Sequence, residues 1–253
     1  MLSDKPSNSG VTIVTRDVAY RDLDVRLTGV LHWDEAQHAP RPGVLLIHGG
    51  AGLDDHAREQ ARRYAQFGYT VLACDMYGDG VAGDRERIVA CATALRDDPA
   101  FLVRRGRAGL AALAACPETG QGLAAVGFCF GGLAALALAR AGAHLAGVVS
   151  VHGSLATSGP AEPGAVVAKV LVHHGAVDPH VPMDDVIAFT DEMSRAGADW
   201  QLTVHGRAVH GFTHRHAVPG AIPGVAYDPL ADERSFAATR AFLAEAFASR
   251  EHG

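Results

Sequence analysis

The sequence predicts a mainly parallel, doubly wound α/β sheet with helices on both faces, and three observations carry that prediction. Apolar runs such as GVLLI (43–47), LAAVGF (123–128) and LAGVV (145–149) recur between helical patterns. Strands apolar on both faces need cover on both faces, which a parallel sheet with crossover helices supplies. Runs lead into glycine-bearing turns, at the carboxyl ends where such sheets collect functional groups. No repeat, linker or low-complexity stretch interrupts the 253 residues, so one domain over 11–253 is expected to follow a polar, flexible segment at 1–10.

The elements follow in order. VTIVTRDV (11–18) and LDVRLTGVLHW (23–33) are rich in β-formers and predict an antiparallel hairpin. GVLLIHGG (43–50) reads as a buried strand and glycine turn, and DDHAREQARRYAQFG (54–68) as an amphipathic helix closed by glycine. YTVLACD (69–75) is a strand, and residues 84–115 hold one long helix or two short ones. LAAVGF is the next strand, with GGLAALALARAG (131–142) as its helix. LAGVVSVHG (145–153) and AKVLVHHG (168–175) are strands, the second followed by the helix MDDVIAFTDEMSRAG (183–197). DWQLTVHG (199–206) is the last strand, and DERSFAATRAFLAEAFASR (232–250) the closing helix.

Composition narrows the function. Lys and Arg number 22 against 28 Asp and Glu, a net charge of −6, and no basic block is present, which argues against a nucleic-acid partner. The most apolar long stretch, Leu133 to Val149, is broken by Arg140 and His144, so no membrane partner is expected. Four scattered cysteines without a CxxC pair, and no apolar leader at the N-terminus, predict free thiols in a cytoplasmic protein.

One cysteine has a special setting. Gly127-Phe128-Cys129-Phe130-Gly131 joins a buried strand to a helix, the pattern of a nucleophile elbow with sulfur in place of oxygen. Its glycines permit a turn too sharp for a Cβ, and the helix start behind the sulfur favours thiolate. Cys74, Cys91 and Cys116 lack any such turn and read as structural thiols. In this fold the acid and then the histidine follow the nucleophile along the chain. Asp178 lies in the loop after one buried strand, and His210 in the loop after the last. Asp184 and Asp185 compete as the acid, but a helix first turn explains them. His205 competes as the base, but it ends a strand and is followed by Gly206. The backbone N–H of Phe130, with that of Gly50 in the loop IHGGAG (47–52), would form the oxyanion hole.

GFCFGG, HHGAVDPHVP, AVHGF and ACDMYGDG together resemble the dienelactone hydrolase family, cysteine-nucleophile α/β-hydrolases, and the likeness runs from about residue 12 onward. It implies an α/β-hydrolase fold, a Cys129–His210–Asp178 triad, hydrolysis of small esters or lactones without metal or other cofactor, and a single-domain monomer or homodimer. Studied members carry a glutamate in the loop after the early strand, where this chain has HGGAG. They also place an arginine for the substrate carboxylate shortly after the catalytic histidine, where this chain has His214, with Arg215 beside it. His48, Tyr77 and His214 are candidates to touch substrate, and the Pro/Gly-rich stretch 216–229 to border the site. A thiolate in an oxyanion hole could also attack activated phosphotriesters. Two other readings compete. A metal-dependent hydrolase could use His210, His214 and His216 as ligands, and a non-catalytic ligand-binding module could use the same fold.

Overall fold

The computed structural model describes residues 10–249 except 79, 80, 82 and 219, so the expected flexible segment 1–10 falls, but for Gly10, outside the described residues. The expected hairpin is β1 (Ile13–Asp22) and β2 (Val25–Asp34), paired antiparallel in register from Ile13 with Asp34 to Asp22 with Val25. β3 (Arg41–Ile47), α1 (Asp55–Ala65), β4 (Thr70–Cys74), α2 (Arg85–Asp97) and α3 (Pro99–Ala114) follow. Then come β5 (Thr119–Phe128), α4 (Phe130–Arg140), β6 (Gly147–Val151), β7 (Lys169–Gly175), α5 (Met183–Arg195), β8 (Trp200–His205) and α6 (Pro229–Ala248).

The strands form one eight-stranded sheet in the order β1-β2-β4-β3-β5-β6-β7-β8. The β1–β2 and β2–β4 pairs are antiparallel and every other pair is parallel, so β5 lies inside the parallel region. Two apolar layers follow from strands that are apolar on both sides. Leu45, Leu72, Ala125 and Val148 belong to one layer and Val44, Val71, Val126 and Val149 to the other. The alternation of consecutive residues between layers is the period of two that an extended chain imposes.

Local chemistry sets the helix starts. The long helical stretch at 84–115 is two helices because Asp98 is extended and caps α3 by accepting from the Phe101 N–H, while Pro99 has no N–H to continue α2. The closing helix begins earlier than its charge pattern predicts, since Asp228 accepts from Leu230 and Ala231 ahead of Pro229. Two buried ion pairs fasten helices to the rest. Arg105 of α3 meets Asp22 of β1 at 2.8 Å and donates to the Met76 carbonyl at 2.6 Å. Arg140 of α4 holds Glu192 of α5 through two bonds of 2.8 Å. Among the described residues no helix is long and apolar enough to cross a membrane.

Candidate active site

Cys129 stands between β5 and α4 with φ +52° and ψ −115°, a conformation that costs a non-glycine residue energy. Packing fixes it there. A Cβ on Gly127 would collide with the Gly131 carbonyl, and one on Gly131 with the Ile47 carbonyl. The Gly-x-Cys-x-Gly spacing is therefore steric: the glycines let β5, α4 and the end of β3 touch backbone to backbone. The Cys129 N–H donates to the Val151 carbonyl at 3.1 Å, which ties the turn to β6.

The two partners arrive from the outer parallel strands. His210 lies beyond β8, with Nε2 3.1 Å from Cys129 Sγ, and its Nδ1 meets Asp178 Oδ2 at 2.8 Å. Asp178 follows β7. Its other oxygen accepts from the His180 and Val181 N–H groups at 2.8 and 3.2 Å. Burial pushes the Cys129 thiol up, but the His210 hydrogen bond and charge, with the Gly50 and Phe130 amides, outweigh it and hold the thiol below its ordinary value. For His210, burial opposes the charge and is overcome by Asp178 and Cys129, so the ring rises to about 10. Burial likewise opposes the Asp178 carboxylate, yet His210 and the two amides keep it below the ordinary range. These directions favour the thiolate–imidazolium form of the Cys129–His210 pair, with the Asp178 carboxylate behind the ring.

The two residues expected to furnish oxyanion donors, Phe130 and Gly50, both direct N–H groups at the sulfur. Tyr77 supports that loop, its hydroxyl donating to the Gly50 carbonyl at 3.0 Å and its ring packing against Phe130 at 5.6 Å. His48 differs from expectation. It is fully buried, its Nδ1–H donates to the Gly49 carbonyl at 2.7 Å, and its Nε2 accepts from the Met76 N–H at 3.1 Å. With both nitrogens engaged it fastens the loop after β3 to the loop after β4, and it offers a substrate nothing.

His214 is half-buried and stacks face to face on His56 at 3.7 Å. A side chain at Gly49 would begin 3.7 Å from Cys129 Cβ and 3.9 Å from His214 Nε2, so the glycine keeps that corner free. The three histidines considered as metal ligands diverge. His210 Nε2 is taken by sulfur, His214 lies on His56, and His216 is exposed beside Glu59 at 3.4 Å. Among the described residues no group of three or more His, Cys, Asp or Glu side chains is placed to hold a metal ion. Within the stretch 216–229, residues 223–225 border the site. His210 bridges Val225 in parallel, takes the Gly224 carbonyl at 3.0 Å through its N–H, and has beside it His180, whose Nε2–H donates to the Pro223 carbonyl at 2.9 Å.

Sequence reasoning missed three residues beneath the site: His56, His152 and Thr213. The Thr213 hydroxyl lies 2.9 Å from Nε2 of both rings, and all three are buried. The available signal was VHG at 151–153, a His-Gly pair at a strand's carboxyl end like His48-Gly49.

Comparison with known proteins agrees with this fold. The profile of the dienelactone hydrolase family matches residues 28–247. The solved structure of m3DLH is 41% identical, with TM-score 0.86, over 92% of this chain and 98% of that one. A dienelactone hydrolase-like promiscuous phosphotriesterase from metagenomic libraries is 42% identical, with TM-score 0.87 and the same coverages. A dienelactone hydrolase-type structure from Klebsiella pneumoniae shares the fold at 21% identity and TM-score 0.78. An uncharacterized protein of Caenorhabditis elegans is 44% identical over 71 residues, a stretch spanning 28% of this chain and 45% of that relative.

Proposed function

This chain belongs to the dienelactone hydrolase family, whose members are hydrolases of ester bonds, and from that premise we propose that it is a thiol hydrolase of small carboxylic esters or lactones. The observation that carries the reading is the unbroken line of Sγ to Nε2 at 3.1 Å and Nδ1 to Oδ2 at 2.8 Å. Cys129 attacks the acyl carbon, and the Gly50 and Phe130 amides stabilise the negative oxygen that forms. The His210 imidazolium then gives its proton to the departing alkoxide as the acyl-cysteine forms. In the second half His210, now neutral, draws a proton from water. The resulting hydroxide attacks the thioester, the carboxylic acid leaves, and Cys129 returns as thiolate with His210 charged. Asp178 holds the ring in the tautomer that both steps need. The enzyme would act as a single-domain cytoplasmic monomer or homodimer on a small-molecule substrate.

The test is hydrolysis of p-nitrophenyl acetate and of a small lactone by wild type and by Cys129→Ala, with intact-mass detection of an acyl adduct on Cys129. The variant is expected to fold and to lose turnover. A variant that keeps most of its rate, or an adduct elsewhere, would reject the reading.

A second activity is favoured by the 42% identity to a promiscuous phosphotriesterase. The same thiolate would attack phosphorus and expel an activated aryloxide, with the two amides on the phosphoryl oxygen. Release of p-nitrophenol from a diethyl aryl phosphate that depends on Cys129 supports it. Equal slow release by wild type and variant dismisses it.

A further inference from the structure

His152 lies immediately after β6 with φ +43°, one of three non-glycine residues with positive φ among those described, and another is the nucleophile. Close packing imposes this conformation. A Cβ on the next residue, Gly153, would collide with Ser150 Oγ and come within 2.7 Å of the Gly132 Cα on α4, while the His152 N–H donates to the His173 carbonyl at 2.8 Å. The side chain is fully buried and its ring stands edge to face against His210, with centroids 5.4 Å apart at 61°. Nδ1 of His152 has no hydrogen-bond partner among the described residues, so Thr213 Oγ1 is the polar handle that orients the ring. The same hydroxyl orients His56, whose Nδ1 is likewise unpartnered and whose Nε2 has in addition a long 3.4 Å approach from Gln60. His56 in turn is the surface on which His214 lies, at 3.7 Å and 16°.

Thr213 can satisfy both rings at once. Its hydroxyl donates to one Nε2 and accepts from the Nε2–H of the other, so the accepting ring is neutral with its proton on Nδ1 and the donating ring carries a proton on Nε2. Burial, helped by neighbouring cations, holds both rings below their ordinary values. Neither ring touches the sulfur, and neither is used in the hydrolytic steps above.

We propose that His152, Thr213 and His56 form one buried positioning unit that sets the planes of the two rings at the site, His210 through His152 and His214 through His56. These three are positioning residues for the proposed thiol chemistry, on which this inference rests. A ring set slightly out of line loses much of the benefit of alignment, so small displacements produce large rate effects.

The experiment compares Thr213→Val, which keeps the shape and removes the shared hydroxyl, with Thr213→Ser, which keeps the hydroxyl. Turnover of p-nitrophenyl acetate and the pH dependence of Cys129 alkylation by iodoacetamide are measured for each. Thr213→Val is expected to lower kcat about tenfold or more with KM within about twofold. The alkylation midpoint should rise as the imidazolium slips from the sulfur, and Thr213→Ser should restore both values to within about twofold of wild type. A valine variant with wild-type kcat and midpoint overturns the proposal, as does a serine variant equally impaired. Should Thr213→Val fail to fold, His56→Phe decides. It keeps the stack under His214 without the Thr213 bond, and a wild-type kcat there would equally overturn the proposal. Alkylation needs no substrate, so a wild type inert toward esters would count against the hydrolase reading while leaving the positioning unit open to this test.

Discussion

Exchanging Asp178 for Asn is the most direct probe of the site's charge arrangement. The substitution leaves the side-chain oxygen that accepts from His180 and Val181 at 2.8 and 3.2 Å, so the loop after β7 keeps its shape. What changes is the charge facing His210 Nδ1 across 2.8 Å. The ring stands at about 10 against an ordinary 6.5. At ~1.36 kcal/mol per pH unit that gap is roughly 5 kcal/mol in favour of the charged ring. Two anions, Asp178 and Cys129, share the effect, so an even division gives each roughly 2–3 kcal/mol, a factor of about 30–160. An asparagine that presents its NH₂ to Nδ1 also selects the wrong tautomer, an exchange that costs about 10⁴ in Ser-His-Asp triads. The expected result is a fall in kcat/KM on p-nitrophenyl acetate of between about 10² and 10⁴. Alongside it, the midpoint of iodoacetamide alkylation should move up toward the ordinary thiol value of about 8.5. A variant within about threefold of wild type, with an unmoved midpoint, would refute the claim that Asp178 holds the charge on His210.

Two further outcomes are expected. Tyr77→Phe deletes the 3.0 Å bond to the Gly50 carbonyl, worth about 1 kcal/mol, so kcat should fall about fivefold and the melting temperature by about 2–4 °C; steady-state kinetics that match wild type would show the oxyanion loop to be held by other contacts. The melting temperature should decline as pH climbs from 9.0 toward about 10, as measured by calorimetry across pH 7 to 10.5. The raised ring contributes stability that is complete below 6.5 and lost as pH climbs toward about 10. The lowered thiol contributes stability present above 9.0 and lost as pH falls, so just below 9.0 the two changes offset. A melting temperature that holds level or rises from pH 9 to 10 would contradict the raised assignment of His210.

Features governed by local sterics were legible in the sequence. Gly127, Cys129 and Gly131 declare an elbow because the turn tolerates no Cβ where the glycines stand. Asp178 and His210 were readable because this topology returns the chain to the same edge after each helix, which places successive loops beside one another. Spatial partners of the remaining histidines were not. Nothing in IHGGAG reveals that His48 turns inward, for its second partner is the amide of Met76, 28 residues away on the neighbouring loop. His216 resembled a ligand only by its closeness in sequence to His210 and His214, and the turns after Phe212 send it outward to Glu59. The Thr213 bridge joins residues 157 and 61 positions apart, beyond any periodicity that a sequence displays.

Strand order also separates Cys129 from Asp178 and His210. The sulfur is anchored at the middle of the sheet, on a strand with parallel neighbours on both sides, whereas the imidazole hangs from a return segment past the outermost strand, where half of β8's residues face solvent. Loosening at such a margin requires far less disruption than melting the interior. An opening confined to that margin would part the imidazole of His210 from the sulfur of Cys129 while the interior strands stay paired.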